Sequence, residues 1–315
     1  MTQEKQFLIS PSPHIQGSHS VSRIMFYVAL ALMLPTGAAV YFFGYRAILV
    51  IAISVVAAVL TEYGVKKLRK RAFIMDGSAI VTGLLLALIL PPTIPLWMAA
   101  VGSIVAVAIV KEAFGGLGYN IFNPALGGRA FMTASFSAEM TTWVLPMGFI
   151  ADAVTSATPL SERFIWGGDK LSLYKELLLG NTSGSIGETS VLLILVGGLL
   201  LIALRIIDWR IPLVYIGTVA LLTIILGEDA IFHVLAGGLM LGAFFMATDY
   251  VTSPLTHKGR IIFSVGAGIL TVVIRLFGGM PEGVAFSILF MNALTPLIDR
   301  YVKIKPYGLV KKARK

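Results

Sequence analysis

The sequence predicts an all-α integral membrane protein with about ten transmembrane helices in two inverted five-helix repeats. Three observations predict it. The 315 residues are 57% hydrophobic and 13% charged, with a mean hydropathy of +0.87, whereas a soluble domain carries roughly 25% charged residues. The apolar residues fall in runs of about 15 to 20, broken by Gly, Pro or charge, which suits helical spans and not the strands of a barrel. Short motifs also recur, in order, in the two halves of the chain.

The elements follow in sequence. Met1–Arg23 is polar and lacks an apolar signal core, so a cleaved signal peptide is not expected. Apolar segments one and two cover about Ile24–Phe43 and Ala47–Tyr63. The third, Ile80–Leu90, is short and ends at Pro91-Pro92; the fourth covers Leu96–Phe114; the fifth, Pro124–Ala134, is again short. A polar stretch, Ser135–Glu188, divides the halves. Segments six to ten are Thr189–Ile206, Ile211–Leu226, Ile231–Thr248, Ile261–Phe277 and Val284–Leu297. The organisation is therefore a tail (1–23), a first membrane repeat (24–134), an intervening loop (135–188), a second repeat (189–299) and a basic tail (300–315).

Lys and Arg orient the bundle. With an even number of spans and the N-terminus inside, Lys5, Arg23, the cluster Lys66 to Arg71, Arg205, Arg210, Lys258, Arg260 and the tail from Arg300 lie on one side. Arg46, Arg163, Lys170, Lys175 and Arg275 lie on the other. Eighteen against five places both termini in the cytoplasm and residues 135–188 outside. The net charge of +9 is this bias, not a nucleic-acid surface.

The repeat rests on Thr82-Gly83-Leu84-Leu85-Leu86 against Gly237-Gly238-Leu239-Met240-Leu241 and Phe114-Gly115-Gly116 against Phe277-Gly278-Gly279. Asn123-Pro124-Ala125-Leu126 is likewise echoed by Asn292-Ala293-Leu294-Thr295-Pro296. Five segments per half invert the second relative to the first. Short, interrupted spans in such repeats place sites at the repeat interface. They also leave non-helical backbone at membrane depth, tolerated only where protein, cavity or ligand covers it.

Four motifs carry candidate chemistry. Asp152-Ala153-Val154-Thr155-Ser156-Ala157-Thr158, followed by Pro159-Leu160, is either an exposed loop or a modification site. In Gly180-Asn181 to Glu188-Thr189, Ser185 and Glu188 have the spacing of a capping box for the sixth segment, and free N–H groups there would attract phosphate. In Phe114 to Phe131, Asn123 and Pro124 suit a helix start. Asn120 and Asn123 offer amides to a ring or polyol, or cap backbone, and Arg129 inside an apolar segment requires a partner. Asp76-Gly77-Ser78, with Asp249, Thr252 and Ser253 as counterpart, reads as interfacial capping before cation binding. With no cysteine the chain ligates no Cys-bound iron–sulfur cluster, and its four histidines are scattered, so a redox role needs an organic cofactor. No metal site is expected, and the methionines read as packing.

Taken together, the motifs Ser10-Pro11-Ser12-Pro13-His14, Asp76-Gly77-Ser78-Ala79, Phe114 to Phe131, Asp152 to Leu160 and Gly180 to Thr189 resemble one family. It includes the D subunit of the Rnf complex, the ion-motive ferredoxin:NAD oxidoreductase of prokaryotic membranes. More distantly it includes the B subunit of the sodium-translocating NADH:quinone oxidoreductase; the compact length favours the first. Ala153 and Ser156 stand where the family often has Gly, and both are small.

The resemblance implies a fold similar to urea transporters and FMN joined through a phosphodiester to Thr158 on the outer side. Asp152, Thr155, Ser156 and Ala157 would belong to the acceptor motif read by a flavin transferase. It implies a second, non-covalent flavin (riboflavin) nearer the cytoplasm, with Asn120 and Asn123 as candidate contacts; Arg129 is a further candidate flavin contact, and Ser185 and Glu188 a candidate flavin-site cap. Expected partners are an extracytoplasmic FMN subunit, membrane iron–sulfur subunits, cytoplasmic ferredoxin- and NAD-binding subunits, and lipid. The activity implied is electron transfer coupled to Na⁺ or H⁺ translocation across the cytoplasmic membrane, active only within the complex. The competing readings are a component of the quinone reductase, a urea-transporter-like channel and a cofactor-free scaffold.

Overall fold

The computed structural model describes residues 20–146, 158–160, 170–278 and 283–303. Among them every regular element is helical. The first half contains α1 (Val21–Phe43), α2 (Tyr45–Leu68), α3 (Ser78–Leu88) and α4 (Leu96–Ile104), which runs on as a π-helix, π1 (Val105–Glu112), and then α5 (Pro124–Ser135). The polar stretch holds two helices that the hydropathy pattern does not announce, α6 (Ser137–Met140) and α7 (Lys170–Leu179). The second half contains α8 (Val191–Ala203), α9 (Arg210–Ile225), α10 (Ala230–Leu235), α11 (Leu239–Leu241) with its continuation π2 (Gly242–Met246), α12 (His257–Phe277) and α13 (Val284–Tyr301).

All ten apolar segments are thus helical, and their ends have local causes. Ser20 accepts from Arg23 N at 3.3 Å to start α1, and Gly44, at φ +61°, ends it. Lys66 and Lys67 close α2 at the negative end of its dipole. Asn123 accepts from Ala125 N at 3.1 Å and Leu126 N at 3.3 Å, with Pro124 in the first turn of α5, as the sequence indicates. The eighth segment is not one helix but the pieces α10, α11 and π2, because Gly237 turns at φ +68° between them.

The capping box expected of Ser185 and Glu188 is corrected. Helix α8 begins at Val191, after Ser190, with no side-chain cap. Ser185 and Glu188 close a separate turn, Glu188 N to Ser185 O at 3.1 Å, and their side chains go to Arg129 instead. A buried guanidinium binds these groups more strongly than helix N–H donors do.

Helices α1, α2 and α12 are long and apolar enough to cross a membrane; α3, α8 and α9 are apolar but shorter. Helix α3, of 11 residues, reaches only about half of a ~30 Å hydrocarbon core. The carbonyls beyond its end are nevertheless paired. Leu88 O accepts from Gly187 N at 2.6 Å and Leu90 O from Ile186 N at 3.0 Å. Ile89 O accepts from Arg129 Nη1 at 2.5 Å. At the broken end of α10, Arg275 donates to His233 O at 2.5 Å and Ala236 O at 3.1 Å. Backbone at membrane depth is thereby satisfied within the protein.

Helix α2 packs on α3 and α4, and α9 packs on α10 and α12; α1 meets α8, and α5 meets α13. Small residues permit the contacts. A Cβ on Gly83 would lie 2.7 Å from Val55 Cα, and one on Gly268 2.7 Å from Thr218 Cβ, so α3 and α12 approach their neighbours as closely as membrane helices do. One apolar core runs through the bundle. A small satellite of Leu160, Leu173, Leu177, Phe232 and Ala236 ties the polar stretch to α7 and α10.

Candidate functional site

Two cavities gather the candidate residues, and they draw on different loops. The first is lined by Thr158, Pro159 and Leu160, by Thr182, Ser183, Gly184, Glu188 and Thr189, and by Leu177, Leu235 and Gly237, around about 370 Å³ of empty space. Thr158 is only 6% exposed. Its placement is fixed two residues on, where Leu160 enters the satellite core. Gly237 and Gly238 make room: a Cβ on the first would meet Leu160 Cδ1 at 2.7 Å, and on the second Glu188 Oε1 at 2.6 Å. Thr158 is the one member of the acceptor motif among the described residues; Asp152, Thr155, Ser156 and Ala157 lie outside them.

The floor of this cavity is charged. Glu188 faces Arg129 Nη1 at 3.6 Å, both side chains being almost fully buried. Arg129 also donates to Ser185 Oγ at 3.5 Å. Buried Arg275 is a second cation in electrostatic reach of Glu188. Among the described residues two guanidiniums thus face one carboxylate at this cavity, and guanidiniums are strong partners for phosphate.

Outside the bundle, the Tyr174 hydroxyl donates to Asp229, which also caps α10 by accepting from Phe232 N at 3.2 Å. This bond, with burial second, pushes the Tyr174 phenol up to about 12. Burial pushes Asp229 up, but the bonds from Tyr174 and Phe232 N and the Lys170 charge outweigh it and hold the carboxyl below its ordinary value. Helix α7 is thus pinned over α10, beside the cavity.

The second cavity is larger, with about 750 Å³ of empty space. Its walls come from the starts of α1, α3 and α5, from the loop carrying Asn120, and from both π-helices, through Lys111 and through Phe244 and Phe245. π-turns widen a helix and often mark functional sites. Asn120 lines this cavity and is 5% exposed; its Nδ2 donates to Phe122 O at 3.0 Å, while its Oδ1 is buried with no hydrogen-bond partner among the described residues. That orphaned acceptor asks for a donor from a ligand. Asn123 differs. Its Oδ1 caps α5, its Nδ2 donates to Met246 O at 3.3 Å, and its N–H is taken by Asn292 Oδ1 at 3.2 Å. Its amide is structural, joining the two halves.

The structure therefore regroups the sequence candidates. Arg129, Ser185 and Glu188 come together beside Thr158; Asn120 and Asn123 sit at the other cavity. Arg129 bonds Ile89 O and faces the 185–188 turn, at the cavity of Thr158. Asp76 does cap: its Oδ1 accepts from Ser78 N at 2.9 Å and Ser78 Oγ at 2.5 Å. Sequence reasoning missed Arg275, counted there only as an outside charge, and the buried trio Glu62, Lys111 and Glu112. The available signal was charge inside apolar runs, which by default marks function.

A sequence profile of the NQR2, RnfD, RnfE family matches residues 8–308. The chain is 51% identical to the D subunit of the proton-translocating ferredoxin:NAD(+) oxidoreductase complex of Clostridium ljungdahlii, over 96% of each chain. It is 47% identical to the D subunit of the Na(+)-translocating ferredoxin:NAD(+) oxidoreductase complex of Acetobacterium woodii, over 98% of this chain and 97% of that one. It is 42% identical to the D subunit of the ion-translocating oxidoreductase complex of Stutzerimonas stutzeri, over 92% of each. Extending over nearly its whole length, this similarity shows that the chain belongs to the NQR2, RnfD, RnfE family.

Proposed function

We propose that this chain is the D subunit of an ion-translocating ferredoxin:NAD⁺ oxidoreductase, and that it carries electrons on FMN held by a phosphodiester to Thr158. The observation that carries this reading is the seat of Thr158 in a buried cavity whose floor bears two arginines and Glu188. Arg129 and Arg275 would balance the phosphate, Glu188 would keep the two guanidiniums from repelling each other, and the cavity lined by Gly184 would admit the polyol. FMN supplies a one- or two-electron carrier, which a covalent link keeps in place. Thr158 is buried, so the flavin transferase must reach it before residues 158–160 dock.

A second, non-covalent flavin (riboflavin) fits the larger cavity, where Asn120 Oδ1 awaits a ring N–H. The matching helix pairings of the two halves support inverted five-helix repeats in a urea-transporter-like arrangement. The cavities support the orientation: one is built beside the basic loops assigned to the cytoplasm, the other from the polar region assigned outside. We place the chain in the prokaryotic cytoplasmic membrane, exchanging electrons with an outer FMN subunit and membrane iron–sulfur subunits while the complex moves Na⁺ or H⁺.

Coexpression with a flavin transferase, followed by a denaturing gel under ultraviolet light, tests the reading. A fluorescent wild-type band and a dark Thr158→Ala band are expected. Two dark bands beside an active transferase would leave a channel or a scaffold.

A further inference from the structure

We propose that Lys111 sets the reduction potential of the ligand in the larger cavity, with Glu62 as the counter-charge that moderates it. The inference rests on reading that cavity as a flavin site. Lys111 lies in the last turn of π1, lines the cavity and is 1% exposed. Its Nζ donates to Ser78 Oγ at 2.6 Å and to Glu62 Oε1 at 3.2 Å. An ammonium so buried persists only against such partners.

The pairing is not one to one. The same Glu62 Oε1 accepts from Lys66 Nζ at 2.6 Å, one turn along α2 and partly exposed. Glu62 is thus shared between Lys66 and Lys111. Asp76 reaches Lys111 only through the Ser78 hydroxyl. Glu112, next in sequence, faces the Gly116 turn, and its Oε1 is buried without a hydrogen-bond partner among the described residues. Two cations share one directly bound carboxylate, with Asp76 and Glu112 in electrostatic reach of Lys66, and of the two it is Lys111 that stands on the cavity wall, where a ligand meets its charge directly. The wider π-turn has brought it there. A ligand that gains an electron beside this wall meets the field of a buried cation, which water screens only weakly. Asp249 also lines the cavity and is unchanged by the variants below.

The test uses the full chain in detergent with Thr158→Ala, so that no covalent flavin contributes, and riboflavin as the probe. Binding is read by flavin fluorescence and the midpoint potential by spectroelectrochemistry at about pH 6, well below the ordinary lysine pKa of ~10.4. Lys111→Met should keep riboflavin but disfavour one-electron reduction about tenfold, a fall of about 59 mV. Lys111→Arg should restore the potential. Glu62→Gln should raise it, since the same cations lose their anion. A purely structural role for Lys111 moves stability but not potential. Bound riboflavin with an unchanged potential in Lys111→Met overturns the proposal. If that variant does not fold, Glu62→Gln decides, and a potential unchanged or lowered there overturns it equally. Failure of the parent chain to bind riboflavin removes the cavity reading itself, an outcome seen before any lysine is changed.

Discussion

Removing the Arg129 guanidinium should do disproportionate damage, and the structure indicates how much. Arg129→Met takes away the partner of Glu188 at 3.6 Å and the donor to Ile89 O at 2.5 Å. Breaking a buried pair from one side costs about 3–5 kcal/mol, and an orphaned buried carbonyl about 1–3 kcal/mol. Arg275 still compensates Glu188 in part, so a net loss of about 4 kcal/mol is expected, at the lower end of the summed ranges. At roughly 2–4 °C per kcal/mol for a chain of this size, the unfolding midpoint in micelles should fall by roughly 10 °C. Glu188→Gln removes the anion but leaves Arg129 its carbonyl, and should cost about 2 kcal/mol. The double variant should then lose only what the Ile89 carbonyl loses, at least about 2 kcal/mol less than the sum of the singles. The assay is a double-mutant cycle from thermal unfolding of the three variants and the parent. Additivity within about 0.5 kcal/mol would refute the coupling of Arg129 to Glu188, and with it the charged floor of the Thr158 cavity.

Gly187→Ala should force the 185–187 turn off α3, because its Cβ would lie 2.5 Å from Leu88 Cβ and 3.0 Å from Leu88 O. A cost of about 1–3 kcal/mol is expected, with faster hydrogen exchange at the Ile186 and position-187 amides that now bond Leu90 and Leu88. Asn120→Leu should abolish non-covalent flavin retention at little cost in midpoint, whereas Asn123→Leu should lower the midpoint itself; flavin released by acid precipitation, with melting curves, separates the two. Tyr174 should titrate late, near 12. Its neutral form is the one bonded to Asp229, so the stabilisation is complete below the ordinary tyrosine value of ~10 and is lost as pH rises through 12. Tyr174→Phe should remove both the late phenolate absorbance and that alkaline loss.

Much of the fold was legible because lipid imposes a simple rule: apolar runs of sufficient length become helices. Boundaries such as Leu96, Pro124 and Val284 follow directly from Pro, Gly or cap residues. Helix α7 was not legible, since it owes its place to Tyr174, Asp229 and the Leu160 cluster rather than to its own periodicity. The capping-box pattern misled because Ser185 and Glu188 satisfy the spacing while an arginine 56 and 59 positions earlier claims both side chains.

The sequence by itself determined that this is a helical membrane protein, which segments are apolar, where Asn123 caps, and that Thr158 and Asn120 belong to candidate sites. Each of those depends on composition, on residues within a few positions of one another or, for Thr158, on the family resemblance of its motif. Only the tertiary structure decided which candidates share a site. Arg129 could pair with any buried acceptor, and it is the folding of residues 185–188 back onto the short end of α3 that gives it Glu188. Lys111 could have ended in solvent like its basic neighbours, and it is the π-turn and the approach of α2 that put it on a cavity wall against Glu62. Long-range pairing of buried charge leaves no local pattern, because the energy that selects it comes from being removed from water together.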